Sequence, residues 1–156
     1  MDDDTYLVSF SFALTISGAT PGMDAAFQEV SGLTSELGIE EVVCGGENRF
    51  KYRLPTTASY PNLVLKRGVA LFPSQLIEWC QATLAGGFAN PIETKSVNLY
   101  LLQNLLPCMS WTFNNAYPVK WVMGDMDANQ NKIMIETIEL AYQYFTVVDP
   151  RNAGSF

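Results

Sequence analysis

From Tyr6 to Ile16 the chain alternates more cleanly than anywhere else. Tyr6, Val8, Phe10, Phe12, Leu14 and Ile16 are large and apolar, and Leu7, Ser9, Ser11, Ala13 and Thr15 stand between them. A period of two sends successive side chains to opposite faces, so this stretch is a strand with one large apolar face and one mostly small, polar face. The pattern recurs. Ala26–Ser31 and Ser35–Val43 read as two strands joined through Gly32, where a bulge or sharp bend is expected. Val69 to Phe72 completes another strand. Lys95 to Leu106 sets Val97, Leu99 and Leu101 against Asn98, Tyr100 and Leu102, and Pro107 ends it. Met109–Phe113 then runs into a turn signal at Asn114-Asn115, and Pro118–Met123 resumes as a strand. In the last stretch, Lys132 to Val148, Ile133 and Ile135 share one face while Ile138, Leu140, Tyr142 and Tyr144 share the other. That switch predicts a bulge, or a handover between two sheets, near Thr137.

Only one segment has the period of a helix. After Pro73-Ser74, the residues Leu76, Ile77, Trp79, Cys80 and Leu84 recur at three- and four-residue steps until Gly86-Gly87, which predicts a helix over about 73–85. Trp79 on that stripe is read as core rather than as part of a ligand pocket. The fold class is therefore mainly β: two packed antiparallel sheets forming a small β-barrel with one flanking α-helix. The 156 residues, 1–156, make a single domain.

Gly45 to Gly68 fits neither pattern as a plain connection. Arg49-Phe50-Lys51-Tyr52-Arg53-Leu54 alternates basic and apolar residues, Leu54-Pro55 interrupts it, Tyr60-Pro61 sets a second bend, and Asn62–Arg67 resumes as a strand closed by Gly68. A connection this long is uncommon in a compact domain, and its aromatic and β-branched residues argue against disorder. The expectation is a projecting hairpin over about 45–68 that needs a partner.

Composition supplies the reason for a partner. Charged residues make up 16% of the chain and hydrophobic ones 48%, against roughly 25% charged in an ordinary soluble domain. So few charges do not cover a surface, and obligate association is the ordinary solution. A net charge of −7 with only nine Lys and Arg argues against nucleic-acid binding. No apolar run approaches the ~20 residues of a membrane span, so no membrane anchor is expected. Met1-Asp2-Asp3-Asp4 is the reverse of a basic signal-peptide start, pointing to synthesis in the cytosol.

The inventory for chemistry is thin. With no histidine there is neither a Ser-His nor a Cys-His pair, and Cys44, Cys80 and Cys108 are too widely spaced for a zinc site, leaving buried free thiols. Glu29, Glu36, Glu40 and Glu41 offer carboxylates for a hydrolase, with a solvated strand face as the plainer reading. Asp125, Asp127, Asn129 and Glu136 follow calcium-loop spacing, but Gln130 occupies the position that needs glycine and the flanks are strands, so a hairpin loop is expected there.

Four stretches in order resemble the inner tube proteins of contractile injection systems and contractile phage tails, a family similar to the ring-forming tube protein of type VI secretion. They are Gly22–Leu33, Gly45–Asn48 with Leu54-Pro55, Asn62–Gly68, and Pro118–Trp121 with Asn131–Ala141. The resemblance implies a structural subunit of a hollow inner tube, built from stacked hexameric rings inside a contractile sheath. Baseplate and spike proteins are further implied partners, with cargo or a tape-measure protein in the lumen. It implies no enzyme activity, no cofactor, no metal and no catalytic residue, and a phage-tail-like particle assembled in a bacterial cytoplasm. If six copies each offer about four strands to one lining, roughly 24 strands at ~4.8 Å give a strand-wall diameter of about 37 Å before tilt. The arm then docks on another copy, with Arg49, Phe50, Tyr52, Leu54, Pro55, Tyr60, Lys66 and Arg67 as the expected interface. A lipocalin-like ligand-binding barrel is the alternative, suggested by the aromatics and alternating strands.

Overall fold

The alternating stretches become the wall of one closed barrel. The computed structural model describes residues 10–18, 24–43, 45–46, 49–68, 74–87, 91–124 and 134–149, of which 24–26 are described in backbone only. The elements are β1 Phe10–Ile16, β2 Asp24–Ser31, β3 Glu36–Val42, β4 Tyr52–Ser59, β5 Leu63–Gly68, α1 Gln75–Ala85, β6 Lys95–Gln103, β7 Leu106–Met123, β8 Ile135–Ala141 and β9 Tyr144–Val148. One antiparallel sheet runs β6-β1-β2-β5-β8-β7, closes through β6–β7, and carries β9 as an extra strand on β7. The two sheets read from the sequence are thus opposite walls of a single sheet, and β3 and β4 form a second, two-stranded sheet of their own.

The inward positions follow the period of two. Leu14, Phe27, Leu63, Leu65, Val97, Leu99, Phe113, Ile138 and Leu140 are buried together, joined by Leu76, Trp79 and Cys80 from α1. These side chains fill the barrel and leave, among the described residues, no calyx for a lipocalin-type ligand. The helix begins where the sequence places it: Ser74 is the N-cap, its hydroxyl accepting from the Ile77 N–H at 3.3 Å. Leu84, expected on the buried stripe, is exposed.

Several boundaries differ from the sequence reading. Pro107 does not end a strand; β6 turns into β7 through Asn104-Leu105, whose φ values of 50° and 66° make the left-handed two-residue turn that hairpins favour. Asn114-Asn115 is no turn, because β7 runs through it and through Pro118 for 18 residues. Asn115 instead sits at φ 51°, with its amide donating to Gln143 Oε1 at 2.7 Å. Opposite it the last strand is interrupted at Tyr142-Gln143, and the inward set passes from Ile138, Leu140 and Tyr142 to Phe145. The face switch expected near Thr137 therefore lies at Tyr142–Tyr144. Residues 69–73, Cys44 and the loop over Asp125–Asn131 lie outside the described residues.

A buried ion pair stitches the wall to the helix. Arg67, 3% exposed, donates through Nε to Glu136 Oε2 at 3.0 Å and through Nη2 to Ser74 Oγ at 3.1 Å. Trp121 Nε1 donates to Glu136 Oε1 at 2.7 Å, and the guanidinium lies 4.7 Å from the centre of the Phe27 ring. Removing one partner of such a pair strands the other in a medium that solvates charge poorly. Arg67→Met is expected to cost about 3–5 kcal/mol in urea unfolding. Adding Glu136→Gln, which removes the charge but keeps an acceptor for Trp121, is expected to recover part of that loss.

Two further contacts fix where β2 leaves the barrel. Gly32 has φ 92°, and a Cβ there would overlap the carbonyl oxygen of Asn62. Gly32→Ala is expected to lower stability by about 2 kcal/mol or more, read as a fall in the denaturant midpoint. The Tyr142 hydroxyl donates to the Gly32 carbonyl at 3.4 Å, and its ring packs against Phe113, Phe145 and Tyr60. Burial, then the neighbouring Tyr60, pushes the Tyr142 phenol from 10.0 up to about 12. Its contribution is fully present below pH 10, where the phenol is neutral folded or unfolded, and is lost as pH rises toward 12 and only the unfolded chain ionises. Tyr142→Phe is expected to flatten that alkaline fall in melting temperature.

Candidate functional site

The feature with no internal explanation is the β3–β4 hairpin. Every residue of β4 is exposed, and in β3 only Gly38 is even half-buried. Isolated two-stranded hairpins are marginal in water. This one is held by its own register, Glu36↔Ser59 and Leu37↔Ala58, then Ile39↔Pro55, Glu40↔Leu54, Glu41↔Arg53 and Val42↔Tyr52. The shift between Leu37 and Ile39 is a bulge, and Gly38 makes room for it, since a Cβ there would overlap Thr56 Oγ1.

Directly opposed residues share a face, so the register divides the hairpin into two unlike sides. One side holds Val42, Tyr52 and Leu54, with Phe50 edge-on to Tyr52 at 5.3 Å between ring centres; Glu40 is its charged member. The other holds Ile39, Pro55, Glu41 and Arg53, and Lys51 Nζ lies 3.8 Å from Glu41 Oε2. Phe50, Tyr52 and Leu54 are 52%, 48% and 48% exposed. Fully burying such a side chain is worth about 1.5–3 kcal/mol, so covering the half that is exposed here releases roughly 1 kcal/mol or more apiece. An apolar side opposite an ion-paired side is the arrangement of a ribbon that lies on something.

The structure sorts the residues expected at the interface. Arg49, Phe50, Tyr52, Leu54 and Pro55 belong to the hairpin, Pro55 on its charged side. Tyr60 packs into the body against Tyr142 and Phe145. Lys66 lies on the barrel wall with its Nζ 3.9 Å from Glu29 Oε2, and Arg67 is inside the barrel. The hairpin is therefore built from Glu36–Ser59 rather than 45–68, because Leu63–Gly68 pairs with β2 and β8 in the barrel wall. Leu37, Ile39, Val42 and Val43, outside the expected set, also belong to this arm and are exposed. The signal for them was the alternation of Ser35–Val43, read as leading into the arm when it is the arm's other half.

Other candidates disperse. Glu40 and Glu41, adjacent on a strand, point to opposite sides, and Glu29 lies on the barrel wall. Glu136, proposed by spacing as a closing calcium ligand, spends both carboxylate oxygens on Arg67 and Trp121. Cys80 is buried, and Cys108 is half-buried with its thiol donating to the Leu101 carbonyl at 3.4 Å. Trp79 is core, its indole donating to the Glu93 carbonyl at 3.0 Å.

A family model described as T4-like virus tail tube protein gp19 matches residues 8–146. Among solved structures, a chain of the anti-feeding prophage baseplate, determined with 6-fold symmetry, is 32% identical, covering 96% of this chain and 98% of that chain with a TM-score of 0.73. A chain of the PVC sheath–tube complex, from an extracellular contractile injection system in the extended state, shares the fold at 22% identity and a TM-score of 0.71, covering 88% of each chain. Hcp1 from Salmonella typhimurium shares it more distantly, at 15% identity and a TM-score of 0.53, covering 95% of this chain and 91% of that one. A comparison with curated proteins finds no match.

Proposed function

The chain belongs to the T4-like virus tail tube protein family, and from that membership we propose that six copies close a ring and that rings stack into the hollow inner tube of a contractile injection particle. The tube sits within a sheath and on a baseplate, as the names of the similar assemblies suggest. Sheath contraction drives it, with its spike and cargo, through a target envelope. The role is mechanical: the subunit supplies shape and stiffness, and no chemistry is asked of it.

The observation that carries this reading is the β3–β4 hairpin, an apolar ribbon side that the described residues of its own chain leave exposed. We place that side, Val42, Phe50, Tyr52 and Leu54, against the body of an adjacent copy in the ring or in the next ring. Exposed strand edges are hazards that proteins normally blunt, and a ring that covers them removes the hazard while using their pairing capacity.

Negative-stain images of the purified protein are expected to show rings or tubes. Tyr52→Glu combined with Leu54→Glu is expected to abolish them and leave a folded monomer, with an unfolding free energy within about 0.5 kcal/mol of the parent because both residues are exposed in the subunit. Tubes that persist in the double variant would show that the hairpin is an ordinary surface feature.

A further inference from the structure

The turn between β6 and β7 seats a leucine where the backbone favours glycine. Both central residues have positive φ, 50° at Asn104 and 66° at Leu105, the geometry in which asparagine followed by glycine is preferred. Asparagine is present, but the second position holds a side chain that seldom adopts φ > 0. That leucine gains little from its own subunit. Leu105 and Leu106 are 81% and 71% exposed, the two most exposed large apolar side chains among the described residues. Phe10, also exposed, stands in the same cross-strand row, Phe10–Gln103–Leu106. No Asp, Glu, Lys or Arg occurs between Ser96 and Val119, so no charge of this hairpin interrupts the apolar knob.

A knob of this kind marks a contact surface, and the opposite end of the same strands holds a place for it. Where β1 ends at Ile16 and β6 begins at Lys95, a hollow of about 450 Å³ opens beside α1. Ile16, Trp79 and Ala82 give it apolar surface, and Glu78, Glu93 and Lys95 supply polar groups. Trp79 is fixed there: its indole donates to the Glu93 carbonyl, and the Lys95 ammonium lies 5.7 Å from its ring centre. The match is chemical as well as spatial. A leucine side chain meets the apolar surface, the lysine can donate to a turn carbonyl, and a carboxylate can accept from the Gln103 amide. An apolar hollow with a few convergent polar groups is the usual form of a binding site.

Knob and hollow lie roughly 30 Å apart, since the nine residues of β6 rise ~3.3 Å each. One subunit cannot join its own two ends. Copies stacked in the same orientation can, and a contact between unlike surfaces propagates without closing. Resting on the tube reading above, we infer that the Asn104–Leu106 knob of each subunit seats in the Trp79 hollow of a subunit in the next ring. The contact gives stacking a direction, because a ring turned over sets knob against knob. The tight turn holds the leucine out in one pose, so little freedom is lost when it seats.

Leu105→Asn tests the inference, since asparagine suits the left-handed turn better than leucine and lacks its apolar body. The subunit is expected to melt no lower than the parent, while mean tube length in negative stain falls several-fold. Tubes of parental length overturn the inference and leave the tube reading standing. Crosslinking supplies a second measurement. Ala82→Cys and Leu105→Cys are combined in a background that lacks Cys44, Cys80 and Cys108 and still forms tubes, and the tubes are treated with a short bis-maleimide. A ladder of covalent oligomers running past six chains is expected, and with either cysteine alone it is expected to stop at two. A double-cysteine ladder that stops at two or at six marks a two-fold pair or a contact within one ring, and overturns the inference, as does the absence of crosslinks. Failure of the unsubstituted protein to form tubes overturns the tube reading and this inference with it.

Discussion

A guanidinium and a carboxylate inside a barrel wall remain there only as a pair, and the pair formed by Arg67 and Glu136 ties together the parts that the fold has to hold. Arg67 stands on β5, Glu136 on β8, Trp121 on β7, and Ser74 caps α1. Ser74 serves two masters: its hydroxyl accepts from Arg67 and from the first turn of the helix. The helix start is thus fixed to the wall by the same atoms that neutralise the buried charge. Apolar contact alone would let a short helix slide along its groove, whereas directed bonds in a poorly solvating medium specify one seat.

That rigidity matters at the base of the hairpin. The chain leaves the barrel at Ser31, which opposes Val64, and returns at Leu63 after Tyr60 has packed on Phe145. Gly32 lets the outgoing strand pass so close to Asn62 that no side chain fits, and Tyr142 holds the Gly32 carbonyl. Exit and return are pinned within the barrel's own packing. The ribbon beyond is almost wholly exposed, so its direction is set at its root. A projecting element that meets its partner in a fixed orientation loses less freedom on association than one that must first be ordered.

The sequence disclosed strands and the helix well because their periods arise from one-sided burial. It was weaker on which strand meets which. Arg49–Leu54 and Asn62–Arg67 both alternate, and nothing in a period of two names a partner; the first pairs with β3 and the second enters the barrel. Pro55 reads as a stop but sits within β4, since a two-stranded ribbon leaves an edge on which the missing donor costs no ladder bond. Leu105 gave no turn signal, because leucine seldom adopts φ 66° and here does so with 81% of its surface exposed. Arg67 was expected at the interface, although the alternation held the contrary signal: Leu63, Leu65 and Arg67 fall on one face at intervals of two, and the same rule places Glu136 with Ile138 and Leu140. Two charges of opposite sign on inward faces of neighbouring strands form a pair that the alternation already contained.

The low charge content takes on a different meaning once the topology is known. Read as a total, 16% suggests a surface short of charge everywhere. Strand order shows the shortage to be local, because β1, β6 after Lys95, the first half of β7 and β9 are drawn from charge-free runs, while the hairpin carries Glu36, Glu40, Glu41, Lys51 and Arg53. Charges give an interface its register and its discrimination against wrong partners. A charge-free face gives neither. The chain thus carries two kinds of surface, a charged ribbon and a charge-free wall, kept apart. Antiparallel closure keeps them apart, since it sets strands distant in sequence side by side on one wall and leaves the ribbon to project from another part of the chain.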